Sequence, residues 1–146
     1  MEIVTTNKAT RVYGLKVRTK NENEMNTEKA QIGPMWQKFF SEVAPVMKED
    51  SRAYGVYCNY ESDASGEFDV WACTDQEIES LDSTVLETGK FRVFKGEGQM
   101  PQAVIETWQR VWNYFLEAEC PDTRAYNCDY EVYESQNEIS IYIGIK

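Results

Sequence analysis

The spacing of apolar and polar residues changes repeatedly along the chain, and each change marks an element. Arg11-Val12-Tyr13-Gly14-Leu15-Lys16-Val17 alternates with Tyr13, Leu15 and Val17 on one face, the period of a strand. A polar loop follows from Thr19 to Lys29. Ile32, Trp36, Phe39, Phe40 and Val43 then recur at helical spacing, with Pro34 in the first turn, where a missing N–H costs nothing, and Pro45 at the end. Strands are predicted around Ala53–Tyr60 and Phe68–Thr74, joined by the turn-forming Asp63-Ala64-Ser65-Gly66. After a linker over 76–88, with a short turn near Ile78–Leu81, the order recurs. A strand at Lys90–Phe94 precedes a helix opened by Pro101 and carrying Val104, Trp108, Val111 and Phe115, with Ile105, Trp112 and Leu116 beside them. Strands at Ala125–Tyr133 and Glu138–Ile145 complete the chain.

That recurrence is written in the residues. Trp36-Gln37-Lys38-Phe39-Phe40 is echoed 72 residues later by Trp108-Gln109-Arg110-Val111-Trp112, and Arg52-Ala53-Tyr54 by Arg124-Ala125-Tyr126. One deletion later, Phe68-Asp69-Val70-Trp71 matches Ile139-Ser140-Ile141-Tyr142. Two copies are too few for a solenoid. The expectation is an α+β domain of duplicated β-α-β-β units related by a pseudo-twofold, with an antiparallel sheet, helices on one face and a ligand cleft on the other. Residues 1–8 are expected to be a tail, 9–75 the first repeat and 89–146 the second, in a single domain spanning 9–146.

Strand alternation assigns faces. Ile139, Ile141, Ile143 and Ile145 form an unbroken apolar side that must meet the helices, leaving Ser140, Tyr142 and Gly144 opposite. Phe68, Val70 and Ala72 are placed likewise, with Asp69, Trp71 and Cys73 facing away. Assigning Cys128, Tyr130 and Val132 to the helix side puts Asn127, Asp129, Glu131 and Tyr133 on the open face, with Gly55, Tyr57 and Asn59 as their first-repeat counterparts. Trp71 and Tyr142 then become two walls of a cleft with Glu131 near its floor, and Asn59 stands at the repeat equivalent of Glu131. A carboxylate among rings is costly to ionise without a partner. A bound organic cation supplies that charge, and Trp and Tyr faces add roughly 0.5–2 kcal/mol each. The alternative is a solvated or Lys/Arg-paired Glu131 with ordinary half-exposed aromatics, and pattern alone leaves the two readings level.

Composition narrows the chemistry. A formal net charge of −10, from 25 acidic and 15 basic residues, repels phosphate backbones and anionic membranes, so neither is an expected partner. The absence of His removes Ser-His-Asp and Cys-His triads. Cys58, Cys73, Cys120 and Cys128 show no C-x-x-C spacing, so no metal site is expected. No apolar h-region opens the chain and no run is long enough to span a bilayer, which makes the cytoplasm the expected compartment and structural free thiols the expected state.

The duplicated layout, the aromatic helix around Trp108 and the Tyr130-Glu131-Val132-Tyr133 segment before a final apolar strand resemble the GyrI-like effector-binding domain family, from about Ala9 to Lys146. These are drug- or inducer-sensing modules of AraC- and MerR-type activators. The resemblance implies that Glu131 lies at the base of a hydrophobic pocket and meets cationic aromatic drugs. With the face assignments from strand alternation added to it, the candidate ligand-binding set is Glu131, Tyr142, Trp71, Tyr57, Asn59, Tyr133 and Phe94. Eight residues before Ala9 leave no room for a helix-turn-helix, so the likeness is to stand-alone members. These include a gyrase inhibitor and an integron-cassette-encoded drug-binding protein, the nearer likeness.

Three functions follow in order. The first is non-catalytic binding of a cationic, amphipathic small molecule, without cofactor. The second is a protein-interaction role toward a topoisomerase or a transcription factor domain. The last is hydrolysis of an electrophile with Glu131 as base and Tyr142 as donor.

Overall fold

The protein was analysed as a computed structural model, which describes residues 2–63 and 65–146. Its elements run β1 (Glu2–Thr6), β2 (Thr10–Thr19), α1 (Asn21–Glu24), α2 (Ile32–Glu42), β3 (Ala53–Cys58), β4 (Phe68–Thr74), β5 (Asp82–Leu86), β6 (Gly89–Glu97), α3 (Gln102–Leu116), β7 (Cys128–Ser135) and β8 (Glu138–Gly144). The strands form one antiparallel sheet in the order β1-β6-β8-β7-β3-β4-β2-β5, curled into a half-barrel. This is the α+β fold expected. The hairpins β3–β4 and β7–β8 form as predicted, and Ala64 of the first turn lies outside the described residues.

Two segments without an assigned strand turn out to be strands. The N-terminal tail carries β1, which pairs with β6 from Glu2↔Val93 to Thr6↔Gly89. The linker carries β5, which pairs with β2 from Thr10↔Leu86 to Gly14↔Asp82. Both are short and largely polar, as edge strands are, so their periodicity is weak. The strand order reads the same from either end when the halves are exchanged. Each edge strand precedes the first long strand of its own repeat but pairs with that of the other, so the two halves are interlocked.

The helices pack on one face, as the isoleucine row requires. Ile139, Ile141 and Ile143 are buried under α3 with Val111 and Phe94, while Phe68, Val70 and Ala72 lie under α2 with Met35 and Phe39. The other face is a second core. Val12, Val56, Trp71, Leu86, Phe91, Cys128, Tyr130 and Val132 cluster there, with Val4 and Tyr142 packed against them. Right-handed strand twist accumulates over eight strands and rolls the edges inward. The Cys128 thiol meets the backbone of Glu87, at the end of β5, four strands away in the sheet.

This second core overturns one face assignment. Cys128, Tyr130 and Val132 belong to the curled-in face with Trp71 and Tyr142, and Tyr130 stacks on Tyr142 at 4.6 Å. Asp129, Glu131 and Tyr133 therefore point toward the helices. With apolar residues buried on both faces of the sheet, alternation shows that β7 has two sides but not which side is which.

Register revises the repeat as well. Val56 lies opposite Trp71, as Tyr130 lies opposite Tyr142, and Tyr57 opposite Val70 as Glu131 opposite Ile141. The structural counterpart of Glu131 is thus Tyr57, not Asn59. The Arg-Ala-Tyr echo misleads because Ala53 and Tyr54 lie within β3, whereas Tyr126 sits in the loop before β7 with φ 52°.

Ile141 has no exposed surface and lies directly across from Glu131 under α3. Ile141→Ala should lower unfolding free energy by about 2–5 kcal/mol, the usual cost of a cavity at such a site, measured by urea denaturation.

Candidate ligand-binding site

The pseudo-twofold places the central strand pair β3–β7 beneath the gap between α2 and α3. Gly55 lies opposite Glu131 and Tyr57 opposite Asp129. A Cβ on Gly55 would collide with Glu131 Oε1 and stand 3.3 Å from Trp36, so only glycine leaves the carboxylate its place.

Glu131 is 2% exposed and holds three neutral donors. The Trp108 indole N–H donates to Oε2 at 2.6 Å, the Tyr57 hydroxyl to the same oxygen at 3.1 Å, and the Tyr133 hydroxyl to Oε1 at 3.2 Å. Trp36 packs edge-on against Tyr133 at 5.5 Å, and Trp108 against Tyr57 at 5.3 Å, so matching tryptophans of the two repeats flank the acid. Burial raises the Glu131 pKa above the ordinary carboxylate range, against the opposing pull of the bonds from Trp108, Tyr57 and Tyr133. Burial, reinforced by the nearby carboxylate, pushes the Tyr57 and Tyr133 hydroxyls up, so they stay protonated and remain donors.

Asp129 on the same strand face is the telling contrast. It is fully buried and accepts from Arg124 at 2.7 Å, Tyr60 at 2.5 Å and the Gly144 N–H at 2.8 Å. One buried acid of β7 thus has a guanidinium beside it. Glu131 has none: among the described residues, no Lys or Arg forms an ion pair with it.

An apolar cleft of about 280 Å³ opens above this floor, near the lower edge of the ~300–1,000 Å³ typical of small-molecule sites. Tyr57 and Trp108 form its base, Tyr60, Phe68 and Ile32 one side, and Ile105 and Trp112 of α3 the other; Arg124 also lines it, its guanidinium already paired with Asp129. Trp112 is 50% exposed and leans toward Trp108 at 6.2 Å, which gives the mouth an aromatic lip. Glu24 of α1 lies at the rim. Its carboxylate accepts from the Thr19 hydroxyl at 2.6 Å and from the backbone N–H groups of Gln31 and Ile32, which caps α2 and pins the 20–31 segment over the cleft. The second repeat has only the short 98–101 connection before α3, so it has no counterpart of this strap.

Of the residues singled out in the sequence, Glu131, Tyr57 and Tyr133 meet here. Trp71 and Tyr142 do occupy matching positions in the two halves but lie on the opposite face of the sheet, and the expected cleft lies on the helix side instead. Asn59 turns away with φ 53° and donates to Asp69 at 3.1 Å. Phe94 packs under α3 against Tyr114 and Phe115. From its spacing Trp108 reads as part of the helix core, and neither Tyr60 nor Glu24 carries a site signal in the sequence. The echo of Trp36 by Trp108 is the available signal, since an indole packed into a half-buried site tends to find an acceptor for its N–H.

The profile of the Cass2 family, integron-associated effector binding protein, matches residues 2–145. The chain belongs to this family. A solved member-like structure, integron cassette protein VCH_CASS2 from the mobile metagenome of Vibrio cholerae, is 42% identical over 99% of this chain and 95% of its own, with a TM-score of 0.93. SAV2435 bound to tetraphenylphosphonium shares the fold at 16% identity and TM-score 0.74, covering 99% and 93% of the two chains. A Staphylococcus aureus MU50 protein does so at 17% identity and TM-score 0.75, covering 99% and 97%. No curated protein matches in sequence. Among the described residues no helix is long and apolar enough to cross a membrane.

Trp108→Phe keeps a ring in the cleft but deletes the shortest donor to Glu131. Because that bond favours the ionised form, the Glu131 pKa should rise further, read as an upward shift in its carboxyl-carbon NMR titration.

Proposed function

We propose that the protein reversibly binds an amphipathic organic cation carrying aromatic surface, with Glu131 as counter-charge and no chemical change to the ligand. One observation carries this reading: a fully buried carboxylate surrounded by neutral donors and aromatic rings, beside a second buried carboxylate that does have its own cation. A cation seated on Tyr57 and Trp108 lies one ring layer from Glu131, in a medium where charge is poorly screened. Ring faces supply attraction that tolerates different ligand shapes. SAV2435, with the same fold, was solved with tetraphenylphosphonium, a cation of this type. Against hydrolysis stands the site's makeup: the partners of Glu131 are an indole and two phenols held protonated by burial, and Tyr142, the expected donor, lies on the far face.

Tetraphenylphosphonium and neutral triphenylphosphine oxide make a matched pair of probes. At a hundredfold excess over Kd a ligand adds about 2.7 kcal/mol, or roughly 5–10 °C in melting temperature for a domain of this size. The cation should raise the melting temperature of the wild type and the neutral analogue should not. Glu131→Gln should lose most of the shift. Equal shifts in wild type and variant, or turnover of the ligand, would sink the reading.

The pH dependence has a definite sign. Glu131 must be ionised to attract a cation, and its pKa in the free protein is raised. Affinity should therefore fall as pH drops through that value and level off above it, while Glu131→Gln shows a flat profile by titration calorimetry. The free protein should show the converse. Stability from this group is fully present below the ordinary Glu pKa of about 4.3 and is lost as pH rises through the raised one.

A further inference from the structure

Cys58 and Cys128 face each other across the β3–β7 seam, and both are free thiols. Directly opposed residues of an antiparallel pair hold their Cα atoms about 4.5–5.5 Å apart and project to one face, here the curled-in core. That span falls inside the ~4.4–6.8 Å that disulfides bridge. The Cβ atoms, about 4.5–5.5 Å apart in such pairs, must approach to about 3.8 Å. The site permits this. Cys58 is the last residue of β3 and Cys128 the first of β7, and the backbone turns away from the sheet next to Cys58, at Asn59 with φ 53°, and two residues before Cys128, at Tyr126 with φ 52°. Access is graded: Cys58 is half-buried and Cys128 is 1% exposed.

We infer that Cys58 and Cys128 form a modification site, a cross-strand dithiol that closes reversibly to a disulfide in exchange with a small disulfide such as oxidised glutathione. The Cys58 thiolate attacks one sulfur of glutathione disulfide, forming a mixed disulfide and releasing one glutathione. Cys128 then loses its proton and attacks the Cys58 sulfur, releasing the second. Two protein thiols are oxidised and one glutathione disulfide becomes two thiols. Burial pushes the Cys58 thiol up to about 11 and the Cys128 thiol to about 12, so closure is slow at neutral pH and accelerates as pH rises. The bond would tie the two halves together one residue from Tyr57, whose hydroxyl reaches Glu131. The site does not depend on what the cleft binds.

The remaining cysteines provide controls. Cys73 is buried beside the Tyr54 carbonyl, whereas Cys120, half-buried like Cys58, lies in the loop after α3, outside the cluster that gathers the other three. The full-length chain is incubated with oxidised glutathione near pH 8, about the pKa of a free thiol, then acid-quenched, alkylated in denaturant and mapped by mass spectrometry. The expected result is a linked Cys58–Cys128 peptide, with glutathione retained on Cys120 alone. Cys128→Ser, checked for an unchanged cooperative melt, should instead retain glutathione on Cys58. Wild type that keeps glutathione on Cys58 as the variant does would overturn the inference. So would recovery of Cys58 and Cys128 as alkylated thiols once Cys120 has reacted.

Discussion

The structure is organised around one unresolved electrostatic demand, a carboxylate taken out of water without a counter-ion. Desolvation opposes ionisation of Glu131, and its indole and phenol partners recover part of the loss by donating to the charged form. Each of those donors comes from a different place: β3, α3 and β7 itself. Gly55 leaves the space for the acid, and Trp36 and Trp108 wall it in. Two of the three donors, Tyr57 and Trp108, also form the base of the cleft, so the groups that hold the acid overlap with those that line the cavity.

Duplication alone does not produce this arrangement. The sheet register pairs Glu131 with Tyr57 as structural equivalents, so one half supplies the acid and the other a donor to it. The long 20–31 segment, fastened by Glu24, roofs only one side of the pseudo-twofold. A symmetric frame thus carries an asymmetric cleft, and the asymmetry resides in one side chain and one loop length.

The helices, the two hairpins and the isoleucine face were legible because each had a long, strongly periodic segment behind it. The grouping of Glu131 with Tyr57 and Tyr133 was legible too, since alternation along β3 and β7 keeps them on one side. The side itself was not. Cys128, Tyr130 and Val132 are as apolar as a helix-facing set, and only the curl of the full sheet, closed by β5 and by Val4 of β1, shows that they fill a second core. That curl depends on two short edge strands whose residues, Glu2–Thr6 and Asp82–Leu86, carry little periodic signal of their own. The resemblance placed Glu131 at the base of a hydrophobic pocket, and Glu131 is buried beneath the cleft, whereas Trp71 and Tyr142 lie in the curled-in core on the other face of the sheet.

The exchanged edge strands have a mechanical consequence. Parting the two halves means unzipping β1 from β6 and β5 from β2 as well as breaking the central seam, three separate ladders at once. The frame therefore cannot gape like a clam shell to admit a bulky guest. Whatever adjustment the cleft makes to size falls to its outer trim, the half-exposed Trp112 and the strap that Glu24 fastens, while Trp108 and Tyr57 stay bonded to Glu131 in the floor beneath.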